Sequence, residues 1–168
     1  MAQHLVNQLR FVRSEFLRGL DGVSAELAVK RFMPMNCISW IVGHLASQEN
    51  QYWVYLAQGK QLVPDLRHLV GHGQPASTPP LDEMMAAWHL ITKEADSFLE
   101  TLTPEIMETR FTHNGKEVHE NIGTLLMRNT FHYWYHIGEI SSIRQFSGQT
   151  DLPEFVGDMT SLTYNNET

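Results

Sequence analysis

The stretch Ile122–Phe146 constrains this chain most: about seven helical turns without proline, carrying two histidines four residues apart, His132 and His136. At about 100° per residue, positions i and i+4 share a face, so both imidazoles point at one object. The same face carries Ile122, Leu125, Asn129, Tyr133, Ile140 and Ile143. The histidines thus sit inside the apolar stripe, where an imidazole is costly unless hydrogen-bonded or bound to something. A metal ion satisfies both rings at once; the ordinary alternative is a pair of hydrogen-bonded core histidines.

A helix of this kind needs partners, and the periodicity supplies three. Leu5, Leu9, Val12, Phe16, Leu17 and Leu20 mark a first helix, with Gly19 and Gly22 at its end. A short helical start at Ser24 is interrupted by Pro34. Asn36, with Ser39 as second candidate, reads as the N-cap of a helix from about Cys37 to Leu56 or Ala57. Its stripe is Ile38, Ile41, Val42, Leu45, Tyr52 and Leu56, and His44 lies on the flank. Residues 60–80 hold Pro64, Pro75, Pro79 and Pro80 with Gly71 and Gly73, which predicts a long connection without regular structure. Leu81 to Leu102 is the cleanest amphipathic helix, stopped by Thr103-Pro104. Asn114-Gly115 predicts a turn, with a short hairpin or irregular excursion around it. The tail from Gln149, polar apart from Leu152, Phe155 and Val156, is expected to wrap over the surface. The pattern predicts one all-α domain over residues 1–168: a four-helix bundle over about 3–148 and a tail over 149–168.

Composition narrows the function. A net charge of −7 without a basic run argues against nucleic acid and against anionic membranes. The N-terminus lacks a signal-peptide core and no apolar run of about 18 residues exists, so a cytoplasmic location is expected. A lone cysteine, Cys37, excludes an intrachain disulfide and a thiolate-rich zinc site. The chemistry falls to the nine histidines.

His44 is the best third ligand, midway along a facing helix. His68 and His72 repeat the spacing of four, but the surrounding prolines and glycines argue against a helix there, and they read as loop histidines. His89 reads as a boundary residue, His4 is terminal, and His113 and His119 belong to the polar excursion. Cys37 shares His44's side but lies about 10 Å along the axis. Two further groups are candidates for catalysis. Glu139, one turn beyond His136, is placed to orient a ligand, to act as general base on bound water, or to stay solvated. Gln48, one turn beyond His44, is placed to hydrogen-bond a water on the ion.

The run Asn36-Cys-Ile-Ser39-Trp40-Ile-Val-Gly43-His44-Leu, with Glu49 and Trp53 after it, resembles the second-helix motif of the DinB-like (damage-inducible) metalloproteins. The run His132-Tyr-Trp-Tyr-His136-Ile-Gly-Glu139-Ile140, with Arg144 and Gly148-Gln149, resembles that family's last helix and exit. The likeness spreads over about residues 5–155. It implies a four-helix bundle of up-up-down-down character, with His44, His132 and His136 holding nickel or zinc and water completing the shell. The family often has glutamine where this chain has Glu139. Relatives include metal-dependent transferases and isomerases that use low-molecular-weight thiols. The resemblance therefore implies a thiol S-transferase acting on a small electrophile. Alternatives are a metal-dependent hydrolase, or a non-catalytic metal-stabilised binding or stress module. A homodimer is the expected assembly. Despite the family name, the acidic chain gives no support to a DNA role.

Overall fold

A computed structural model describes residues 2–154 and 156–162, apart from the side chain of Ser161; Phe155 of the tail lies outside them. The first helix, α1 (Ala2–Leu20), buries Val6, Leu9, Val12 and Phe16, while Leu17 stays exposed. Gly22, at φ 74°, reverses the chain where a side chain would be strained. Ser24 then caps α2 (Ala25–Val29) by accepting from the Leu27 amide.

The next helix, α3 (Ile38–Glu49), starts one residue later than the sequence suggests, with extended Cys37 rather than Asn36 as its N-cap. It continues as a π-helical segment, Asn50–Leu56, whose wider turns no periodicity rule anticipates. The connection expected to lack regular structure contains one helical turn, α4 (Leu66–Val70), because Leu66 and Val70, four apart, both bury. Helix α5 (Leu81–Leu99) follows, then α6 (Pro104–Glu108), capped by Thr103. The Asn114-Gly115 turn, both residues at positive φ, joins strands β1 (Thr112–His113) and β2 (Lys116–Glu117) in an antiparallel pair. Last comes α7 (Ile122–Phe146), capped by the Asn121 side chain on the Thr124 amide. Every apolar residue assigned to its histidine face is buried.

The four long helices pack as the expected bundle, α1 chiefly against α7 and α3 against α5. Side-chain pairs fix their directions. Arg10 with Glu100, Arg13 with Asp96 and Phe16 with Trp88 make α1 antiparallel to α5. Trp53 with Asn129, Glu49 with Tyr133 and Gln48 with His132 make α3 antiparallel to α7. Gly43 beside Met84, and Gln58 on the Glu94 carbonyl, make α3 and α5 parallel. The order is up-down-down-up, which corrects the up-up-down-down order expected. The connection over residues 57–80 makes the single parallel step between consecutive long helices. The tail crosses back over α1, where the Gly157 amide donates to Glu15 Oε2 at 2.9 Å.

Beneath the histidines the core is polar. Arg13 Nε donates to Glu49 Oε1 at 2.8 Å, a second Arg13 nitrogen pairs with Glu49 Oε2, and Arg13 Nη1 reaches Asp96 at 2.8 Å. The Tyr133 hydroxyl donates to Glu49 Oε1 at 2.6 Å and accepts from Trp88 Nε1 at 2.7 Å. One buried network thereby joins all four long helices.

Close packing sets Gly43 of α3 against Val70 of α4. A Cβ there would overlap the Met84 sulfur and meet a Val70 methyl at 3.1 Å. Overpacking costs about 1–3 kcal/mol, against a helix-propensity gain of about 1 kcal/mol. Gly43→Ala is therefore expected to lower thermal stability modestly, and to weaken whatever depends on the position of Val70. Thermal denaturation beside a metal-affinity measurement checks both.

Candidate metal centre

Helix α3 carries His44 at mid-length, and α7 carries His132 and His136 one turn apart on the face turned towards it. Trp40, one turn before His44, stacks on its ring at 4.5 Å between centroids and 15° between planes, which holds the imidazole plane. The ligand atoms of His44, His132 and His136 all lie within 4.8 Å of one another, so the cluster could hold a metal ion. Their ring planes stand steeply to each other, 79° and 78° from His44 to the other two and 68° between those two.

Each ring is held from behind. His44 Nδ1 lies 2.8 Å from the Val70 carbonyl, His132 Nδ1 2.7 Å from Gln48 Oε1, and His136 Nδ1 2.5 Å from Glu139 Oε2. Oxygens of these kinds only accept, so each Nδ1 carries the proton and each Nε2 is left with a lone pair. His132 Nε2 and His136 Nε2 face each other at 2.9 Å. Two bare nitrogens that close repel, so the geometry calls for positive charge there: a proton shared by the pair or a cation bound by the cluster. Metal-bound imidazoles commonly have such an acceptor on the other nitrogen. The donor set fits a divalent ion that takes neutral imidazole.

Burial pushes the His44 pKa down to about 4, opposed by the Val70 carbonyl and helped by His136. Burial, then His136 and His44, pushes His132 down to about 3. Unfolded, both would titrate near 6.5. Between those values the unfolded chain binds more protons than the folded one, so stability rises with pH there. Metal-free protein is expected to hold this contribution in full above about pH 6.5 and to lose it as pH falls towards 4 and then 3. Thermal midpoints of stripped protein across that range check the sign.

The proposed site residues separate into two groups. The three histidines converge; Gln48 and Glu139 sit behind His132 and His136, on the ring edges away from the meeting point. His68 and His72 do not converge either. His68, in α4, lines a polar pocket of ≈ 250 Å³ with Tyr55 and His113. His72, just past α4, lines the cleft in front of the histidines, a role that the loop reading missed. That cleft has a volume of ≈ 780 Å³ and is walled by His44, Gln48, Tyr52, His72, Glu120, Thr124, Met127, Arg128, Phe131 and His132. The Val70 carbonyl was also missed, since a backbone acceptor has no sequence signature. Cys37 is buried beside Ser39 and the Ser77 carbonyl, outside the cluster. His89 and His119 are exposed, and His4 bonds Gln8.

Residues 8–140 match the DinB superfamily. The chain belongs to that family. The match closes just past Glu139, so this DinB-superfamily region holds all three histidines and both groups behind His132 and His136. A search of curated proteins gives no match. Among the described residues, no helix is long and apolar enough to cross a membrane.

Proposed function

We propose that this DinB-superfamily chain is a metal-dependent transferase that joins a low-molecular-weight thiol to a small electrophile. The observation that carries the reading is the convergence of three imidazoles, two of which, His44 and His132, stand on the wall of an open cleft. A structural zinc site is usually closed by four protein ligands, whereas here three are supplied and one side faces free space. Nickel or zinc is the proposed ion, since imidazole suits both.

A divalent ion at this site supplies Lewis acidity, which makes a thiol easier to deprotonate. The chain's own residues do the rest. Met127 and Phe131 give the cleft an apolar wall, and Tyr52, His72 and Arg128 a polar one. The S–H proton leaves to the His72 ring. The sulfur lone pair forms the new bond to the electrophilic atom, whose leaving group departs with the bonding electrons. Hydrolysis, with Glu139 or Gln48 positioning the water, is the less favoured reading because both side chains are taken up behind His136 and His132. Glu120, the one carboxylate on the cleft wall among the described residues, is held through both oxygens by Arg128.

The test is a panel of cellular thiols added to nickel- or zinc-loaded protein. A shifted metal absorption band (for nickel) and a raised thermal midpoint with at least one thiol are expected. No response to any thiol, with stability lost on metal removal, would instead mark a structural ion.

A further inference from the structure

Val70 and Glu139 present acceptors of one kind only, a carbonyl and a carboxylate. Gln48 does not. Its amide has an acceptor at one end and donors at the other, and turned half round it would present N–H groups to His132. That would force the ring into the form protonated at Nε2, the nitrogen that meets His136, and remove its lone pair from the cluster. Something has to fix which end of Gln48 faces the ring.

Gln48 Oε1 also lies 3.0 Å from Asn129 Nδ2, and Asn129 Oδ1 lies 2.6 Å from Trp53 Nε1. Asn129 and Trp53 are both fully buried. Asn129 is an ambiguous amide like Gln48, but the indole N–H is a donor only. It demands the Asn129 oxygen, which turns the Asn129 NH2 towards Gln48. That demands the Gln48 oxygen, which then accepts from His132 Nδ1. Three two-way choices are settled by one group at the end of the row. The π segment makes the row possible: Gln48 and Trp53 are five residues apart, a spacing that an α-helix sends to different faces and wider turns bring round.

We propose that Trp53 and Asn129 are positioning residues of the metal centre, fixing the polarity of Gln48 and through it the tautomer in which His132 offers Nε2 to the ion. This rests on the metal-binding part of the function proposed above and not on the reaction.

A carboxylate at position 48 only accepts, so it makes the row unnecessary. The experiment is zinc affinity, by competition with a chromophoric chelator, for the full-length wild type, Trp53→Phe, Gln48→Glu and the double variant. Trp53→Phe is expected to weaken binding about tenfold with Gln48 present, as losses behind a ligand do. In the Gln48→Glu background the loss should shrink to about twofold or less, a coupling that the double-mutant cycle reads directly. Equal losses in both backgrounds, or none in either, overturn the proposal, because a carboxylate does not repair lost packing. Wild-type protein without metal gives a second readout that needs no variant. Long-range ¹H–¹⁵N spectra should place the His132 proton on Nδ1; a ring protonated at Nε2 alone overturns the proposal even if the protein binds no zinc.

Discussion

Glu49→Ala is expected to destabilise the fold by about 3–5 kcal/mol, the usual result of removing one partner from a buried ion pair. The Arg13 and Glu49 side chains are 6% and 0% exposed, so neither charge has water to fall back on. Burial alone would lower the Arg13 pKa, but Glu49, with Tyr133 and Asp96, more than offsets it and holds the guanidinium well above its ordinary value. Arginine cannot shed its proton to escape, and Asp96, partly exposed, compensates only in part. The same carboxylate accepts from Tyr133, whose own pKa is raised by burial and by Glu49. In a chain of this size the loss corresponds to a fall in melting temperature of roughly 10 °C. The double change Arg13→Met with Glu49→Leu is expected to cost less than Glu49→Ala alone, since it leaves no orphaned charge. Thermal and denaturant unfolding of the three proteins read this directly. Glu49 and Tyr133 are next in sequence to Gln48 and His132, so the network also sets the register in which those two meet.

The second large effect falls on metal affinity. His136→Ala should weaken divalent-ion binding by about a thousandfold or more, because a small ligand set shares a binding free energy that reaches roughly 10–16 kcal/mol in structural zinc sites. Glu139→Ala removes only the acceptor behind that ring and should weaken binding by about 10–100-fold. The ordering matters more than either value. A Glu139 that bonded the ion itself would cost as much as the histidine, and a solvated one would cost nothing. Chelator competition measures all three proteins, and far-ultraviolet circular dichroism should show the helix content unchanged.

Much of this was legible in the residues because helical periodicity records burial. Ile122–Phe146 has the bounds expected from the apolar stripe and Gly148, and Leu81 starts α5 where the proline-rich connection ends. The Asn114-Gly115 turn needs positive φ at both residues, and that chemistry is local, so the hairpin could be foreseen. His132 and His136 were placed by spacing alone. What escaped depends on tertiary packing. Leu66 and Val70 form a helical turn because α3 covers them, and neither proline nor glycine nearby prevents it. The π segment adds residues per turn without changing which residues are apolar, so a period of 3.6 predicts an unbroken α-helix there. Arg13 and Glu49 are charged residues with no outward sign of burial; only the opposing helices bring them together. Helix directions show only in the side-chain pairs across the bundle, such as Arg13 with Asp96 and Trp53 with Asn129, and the resemblance suggested a different order.

The central claim is that one divalent ion sits among His44, His132 and His136. X-ray absorption at the metal edge of protein loaded with one equivalent of zinc tests it most directly. The expected spectrum has nitrogen and oxygen neighbours at about 2.0–2.1 Å, with the multiple scattering of three imidazoles. A sulfur neighbour at about 2.3 Å, or the scattering of one imidazole or none, would contradict it.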